Sequence, residues 1–422
     1  MHVLAILATL PLVTCGLLEN RYSSQLKSRD DPATKDMYIV YANSNDHHSL
    51  DRAISSAGVT PRHVYHSLRA FALEISGKEL QRIKRSPHVN KVVRDKIITQ
   101  RDAINRKDHK TYQFSNAEQN RRRTTRDAKL TTVTQGDNVP WNLARLSHFK
   151  PHQTSYTYDQ SAGTGACVYV IDSGLLDSHP EFGGRAKLLE NFSGDPDFDI
   201  RGRGTYIAGI VGSNKYGVAK NATIFGIKVM DDKGNTNVST ILAGMDFVMS
   251  DAPKRKCPSG VVVNISLVAK HSKSLNDAAG NMVKSGIFLA VAAGDDGRNA
   301  EKFSPASQSI ACTVGATNKD DEFASYSNRG SYVNVLAPGT DVVSLTTDAS
   351  NQTSTLGRLK ALSGTFAASP HVAGLGAYLL GLGTNVTGLC HHISSTALQN
   401  VVVFGSGNYT GTPNRLINNG FK

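Results

Sequence analysis

Two acidic residues of this 422-residue chain stand where a parallel β-sheet presents its chemistry. Asp172 follows the apolar run Val168–Ile171, and Gly294–Asp295 follows the apolar run Ile287–Ala292. Ligands and reacting groups of open α/β sheets gather at the carboxyl ends of the strands, so both positions are site candidates. Two glycine-rich stretches, Gly163-Thr164-Gly165 and Gly202-Arg203-Gly204, raise phosphate binding as an alternative. The first precedes a strand and the second lacks a third glycine, so neither has the strand–turn–helix context of a dinucleotide site. Four cysteines (Cys167, Cys257, Cys312 and Cys390) remain once Cys15, in the N-terminal apolar stretch, is set aside. An even number in an exported chain favours two disulfides, and the absence of a CxxC pair argues against zinc.

The elements that would position these residues change character along the chain. Val3 to Val13 is apolar and followed by small residues, which reads as a secretory signal peptide over residues 1–16. Met37 to Asp95 reads as a small α/β unit: a strand Met37–Tyr41, a helix near Leu50–Ala57, strands flanking Ser67–Arg69, a helix Lys78–Arg85 and a strand Val89–Val93. Residues 97–138 turn polar and charged and include Arg121-Arg122-Arg123-Thr124-Thr125-Arg126. This segment reads as a linker whose basic run is either a solvated stretch or a processing site. From Gly165 onward short apolar runs (Val168–Ile171, Ile224–Val229, Val261–Ile265, Ile287–Ala292) alternate with helical stretches such as Val238–Met249 and Leu275–Val283. Strands apolar on both faces, alternating with helices, predict a doubly wound, mainly parallel sheet covered on both sides.

Composition narrows the function classes. The net charge is +12, but residues 17–130 carry 23 Lys and Arg against 13 Asp and Glu, while residues 131–422 are nearly balanced. A basic excess confined to the leader and linker does not describe a nucleic-acid surface. No later apolar stretch reaches the roughly 20 residues of a membrane span. Seven N-x-S/T sequons begin at Asn191, Asn221, Asn237, Asn264, Asn351, Asn385 and Asn408, in keeping with secretion.

Four blocks then carry a resemblance. Gly165–Gly174 (GACVYVIDSG), Gly202–Gly209 (GRGTYIAG), Ala290–Asp295 (AVAAGD) and Leu362–Gly374 (LSGTFAASPHVAG) resemble, in order and spacing, the signature blocks of the subtilases, the proteinase K type secreted by fungi above all. Val139–Arg145 is similar to the start of the mature enzyme in that group, and Met37–Asp95 to the propeptide that serves as chaperone and inhibitor. The resemblance implies a subtilisin-like fold over residues 139–422 behind a ferredoxin-like α+β propeptide over residues 37–96. It also implies disulfides Cys167–Cys257 and Cys312–Cys390.

At the reacting positions the chain departs from the family. A hydroxyl nucleophile, an imidazole, a carboxylate that orients it and donors for the oxyanion are all needed. Asp172 matches the carboxylate, but Arg203 stands at the histidine position, Phe366 at the serine position and Asp295 at the oxyanion amide. A guanidinium has no acceptor nitrogen and cannot be a general base; it can pair with a carboxylate, so an Arg203–Asp172 ion pair is expected. Phenyl carries no nucleophilic atom, and Ser363, Thr365 and Ser369 lie off the position the family uses. A carboxylate at Asp295 offers the oxyanion no donor unless protonated. Ser266-Leu267-Val268-Ala269 replaces the glycine-bearing strand on which a substrate backbone lies, and Asn334 replaces an Asp of the family's calcium site. No cofactor is expected to be required, and the metal is left open. The expected product is a secreted, monomeric, catalytically inactive homologue that binds its own propeptide, protease inhibitors or extracellular proteins. A working secreted endopeptidase is the alternative.

Overall fold

The computed structural model describes residues 35–43, 48–99, 111–113, 122–127, 130–136, 139–347 and 358–421. The stretch read as a signal peptide, Cys15, Arg121 and Asn351 lie outside the described residues.

The N-terminal unit runs β1 (Asp36–Ala42), α1 (Ser49–Ala57), β2 (His63–Tyr65), β3 (Ala70–Ile75), α2 (Gly77–Lys84) and β4 (Val89–Arg94). Its sheet has the order β2-β3-β1-β4, antiparallel throughout, which is the expected ferredoxin-like arrangement. Alternation along the strands splits the side chains between two faces. Val40, Phe71, Leu73 and Ile75 pack with Ala53, Ala57 and Ile83 of the two helices. Ile39, Ala70, Ala72 and Tyr65 face the other way and join the core of the following domain. Helix α2 starts in a reciprocal cap: Ser76 and Glu79 satisfy each other's backbone N–H groups.

The larger domain is built on a nine-stranded sheet. Its elements include β5 (Ile97–Thr99, off the main sheet), β6 (Ala166–Asp172), β7 (Ala186–Asn191), α3 (Arg203–Gly212), β8 (Thr223–Lys228), β9 (Asn235–Asn237, also off it), α4 (Val238–Asp251) and β10 (Gly260–Ile265). They continue with α5 (Lys273–Lys284), β11 (Phe288–Ala292), β12 (Cys312–Thr317), β13 (Val335–Pro338), α6 (Thr365–Gly381), β14 (Leu398–Gln399) and β15 (Arg415–Leu416). The order is β7-β8-β6-β10-β11-β12-β13-β15-β14, parallel except at the last pair. Val168, Val170, Val262 and Ala290 pack with α3 and α6 on one face. Tyr169, Ile171, Val263 and Leu289 pack with α4 and α5 on the other. Both faces are therefore dry, as the apolar runs require.

Disulfides Cys167–Cys257 and Cys312–Cys390 tie β6 to the loop before β10 and β12 to the helix Leu389–Thr396. The stretch expected as a linker differs from an unstructured one. Thr111–Gln113 pairs with Arg358–Leu362, and Arg122–Asp127 pairs with Leu130–Gln135, which in turn pairs with Tyr156–Asp159. Strands held by backbone pairing to an existing edge need no apolar alternation of their own, so polar sequence there is compatible with sheet. Among the described residues no helix is long and apolar enough to cross a membrane.

Candidate active site

Asp172 closes β6, fully buried, and α3 begins beside it at Arg203. The approach is close because position 204 is glycine: a Cβ there would lie 1.9 Å from the Gly174 carbonyl oxygen. Arg203 Nη1 donates to Asp172 Oδ2, and Nη2 donates to the Ser266 carbonyl at 3.0 Å. The second Asp172 oxygen accepts the Ser173 N–H at 2.9 Å. The expected ion pair is thus present, with the arginine side chain only 10% exposed. A cation at the first residue of a helix opposes the macrodipole. Asp199 offsets this: its carboxylate accepts from the Gly202 and Thr205 N–H groups and from the Ser173 and Thr205 hydroxyls. Burial pushes the Asp199 carboxyl up, against the lowering effect of those donors.

Phe366, the second residue of α6, is 4% exposed. Its ring lies 4.7 Å from the Arg203 guanidinium carbon and 6.2 Å from the Tyr206 ring. It folds back over Gly364, where a Cβ would come within 2.3 Å of the ring. The space above the start of α6 is filled by phenyl. Asp295 sits exposed at the rim, with Oδ1 accepting the Thr365 N–H at 2.7 Å. It therefore caps α6, which suits an anion at a helix N-terminus, and takes up an amide instead of offering one. The alternative hydroxyls are engaged: Thr365 Oγ1 accepts the Gly294 N–H, Ser363 bonds Asp341 and Ser369 donates to Asn264. His371, on the same helix, is buried beneath the site. Its Nδ1 donates to the Ala367 carbonyl, leaving Nε2 to accept from Asn142 at 3.0 Å. Burial holds its pKa at about 4, so it is a neutral structural imidazole.

A family model described as Subtilase family matches residues 163–413, and one described as Peptidase inhibitor I9 matches residues 25–100. The chain belongs to the subtilase family. "Proteinase T" of Parengyodontium album is 50% identical over 295 residues, covering 70% of this chain and 97% of that protein. "Cuticle-degrading protease" of Metarhizium anisopliae is 36% identical over 434 residues, covering 100% of both. The solved structure of a cold adapted subtilisin-like serine proteinase matches with a TM-score of 0.60 and 33% identity, over 67% of this chain and 99% of that one.

In this subtilase the stretch read as a substrate strand, Ser266-Leu267-Val268-Ala269, carries a side chain at every position. Ser266 and Leu267 are buried, and the Ser266 hydroxyl donates to the Phe366 carbonyl at 3.1 Å. Val268 stands near Gly294, where a Cβ would lie 3.2 Å from the valine Cγ1, and Ala269 pairs with Ser304. Opposite them, β9 is occupied by β5 of the same chain, in antiparallel register with Ile98 facing Thr236. Ile98 is 8% exposed and joins the core with Val229 and Val238, whereas Ile97 points out at 77%.

One sequence expectation changes. Asn264 is fully buried and its Nδ2 donates to Ser266 Oγ at 2.9 Å, so that sequon has no room for a glycan. Asn191 is half-buried and commits its Nδ2 to the Asp195 carbonyl and to Asp197. Asn237, half-buried, lies in β9 beneath β5. Asn221, Asn385 and Asn408 are exposed, though the Asn221 Nδ2 donates to the Gln160 carbonyl. At the suggested calcium position the Asn334 side-chain Oδ1 accepts the Thr313 N–H at 2.8 Å. A neutral, already committed oxygen is a poor substitute for a carboxylate toward Ca²⁺, so Asn334 does not fill the role of that Asp. Sequence reading passed over Asp199, although Asp199-Ile200-Arg201-Gly202, an acid and a glycine before a helix, is a helix-start signal.

Proposed function

We propose that this chain is a secreted subtilisin-like serine protease homologue that does not hydrolyse peptides and acts instead as a protein- or inhibitor-binding module. One observation carries the reading: the Arg203–Asp172 ion pair lies beneath the Phe366 ring, where base and nucleophile would have to be. No imidazole stands there to take a proton, and no hydroxyl is placed to attack. In subtilisin, loss of the serine or the histidine alone costs on the order of 10⁶-fold in turnover, non-additively. What remains in such variants comes from oxyanion donors and substrate binding. Here the oxyanion position is an acceptor and the substrate strand carries side chains.

Secretion is supported by the apolar leader, the paired cysteines and the sequons, of which exposed Asn385 and Asn408 are the best acceptors. The chain's own I9 domain is its first partner. The competing reading, a working extracellular endopeptidase, is favoured by the proteases among its relatives. A fluorophosphonate probe and a chromogenic peptide, applied to wild type beside the double variant Arg203→His, Phe366→Ser, separate the two. Labelling or turnover by wild type overturns the proposal. Activity gained only by the variant supports it, and also attributes the loss to these two positions.

A further inference from the structure

We propose that the groove where the N-terminal unit meets α5 is a binding site for a small organic anion, a charged head on an apolar body, gripped by both units at once.

The groove encloses about 650 Å³, within the roughly 300–1,000 Å³ usual for small-molecule sites. One wall is a face of α5, on which Lys273, Asp277, Gly280, Asn281 and Lys284 recur at helical spacing. The opposite wall is Tyr41, near the end of β1, and the turn Ser67–Arg69. The loop at Gln308–Ile310 supplies a third side. Gly280 lets that loop lean on the helix: a Cβ there would lie 2.9 Å from Gln308 Nε2, which donates to the Asn276 carbonyl at 2.7 Å.

The charges on these walls do not cancel. Lys273 Nζ holds both oxygens of Asp277, at 2.7 and 2.8 Å, which neutralises that acid. Lys284 makes no ion pair among the described residues, and Arg69 brings a second positive charge from the facing turn. Arg69 is held there under strain, because its φ of +48° lies in the left-handed region that side chains rarely adopt. The turn is pinned by the Arg69 N–H on the His66 carbonyl at 3.2 Å and by Asn281 donating to the Ser67 carbonyl at 3.1 Å. The Tyr41 hydroxyl is buried with no hydrogen-bond partner, an unfavourable state that a ligand acceptor relieves. Leu68 and Ile310 give the groove an apolar part, and Ile310 is 45% exposed. Two cations, one unused hydroxyl and two aliphatic side chains select an anion with a hydrocarbon or aromatic body.

Phenyl phosphate is the probe, titrated into the full-length protein by calorimetry at fixed ionic strength. Inorganic phosphate and benzyl alcohol serve beside it as the head and the body alone. Phenyl phosphate is expected to bind, and each fragment to bind at least roughly tenfold more weakly. Arg69→Gln and Lys284→Gln should each weaken phenyl phosphate roughly tenfold, the scale of one charge-assisted bond. Both side chains are exposed, so neither variant empties a core, and either one is informative alone. A ligand touching both walls also resists their separation: at a hundredfold excess over its dissociation constant, opening falls about 100-fold. Hydrogen exchange at the His66 and Ser67 amides, which bond Asp246 across the junction, should slow accordingly. No binding of phenyl phosphate, or binding indifferent to both variants, overturns the inference. Benzyl alcohol binding as tightly as phenyl phosphate, or exchange at His66 and Ser67 unchanged at saturation, also overturns it. None of these outcomes bears on the non-peptidase reading, which concerns the other end of the sheet's chemistry at Arg203 and Phe366.

Discussion

Replacing Arg203 by methionine removes the cation from a carboxylate that has no contact with water. Asp172 would keep the Ser173 N–H at 2.9 Å but lose the guanidinium, while the methionine fills much of the vacated volume. Breaking a buried pair from one side costs about 3–5 kcal/mol. At about 2–4 °C per kcal/mol for a domain of this size class, the melting temperature should fall by roughly 6–20 °C at pH 7. The penalty belongs to the negative charge left unpaired in a low-dielectric interior. Adding Asp172→Asn should return most of the stability, because the charge left unpaired is then gone. Thermal unfolding of wild type, both single variants and the double variant at pH 7 reads all four corners. A single Arg203→Met variant that melts with wild type at pH 7, or a double variant no better than it, would refute the ion pair as a structural contact.

Three other outcomes follow from the described geometry. His371, held at about 4 and neutral, contributes stability above its unfolded value near 6.5 that is lost as pH falls toward 4; His63 and His179 are lowered likewise by burial. At about 1.4 kcal/mol per unit, His371→Gln should flatten the acid limb of denaturation midpoints by up to about 3 kcal/mol, and an unchanged limb would count against it. Cys167→Ser with Cys257→Ser opens a link of 90 residues and should destabilise by up to about 4–5 kcal/mol on the chain-entropy scale, read as a lower urea midpoint. Gly364→Ala should be damaging alone, since its Cβ would meet the Phe366 ring at 2.3 Å. In a Phe366→Ser background the loss should be smaller but not abolished, because the φ of +158° still disfavours a side chain there; a loss no smaller than in the Phe366 background would contradict the packing described.

How much of this was legible beforehand depended on which force shapes each part. The strands β6, β8, β10 and β11 were readable because burial on both faces writes an uninterrupted apolar run. β12 and β13 were not: CTVGAT and VLAP are short and broken by Gly and Pro, and their place comes from pairing with neighbours. The Arg203–Asp172 contact followed from charge alone once both were placed at one site. The change of Asp295 from missing donor to helix cap did not, because it depends on the Thr365 N–H pointing at that carboxylate. Asn264 shows the opposite failure, a surface motif spelled by chance within a buried strand. The pairing of Thr111–Gln113 and Arg122–Asp127 was hidden because edge strands draw on backbone bonds that leave no pattern in side chains.

The packing of Phe366 against Arg203 also bears on history. Restoring serine at 366 while arginine remains opens a hole above a guanidinium; restoring histidine at 203 while phenylalanine remains sets an imidazole against a ring with nothing to activate. Neither step gains any chemistry on which selection could act, and each disturbs a contact that the present fold uses. On the proposed non-peptidase reading the two residues thus work as a ratchet: a chain that carries both has no single-mutation route to catalysis.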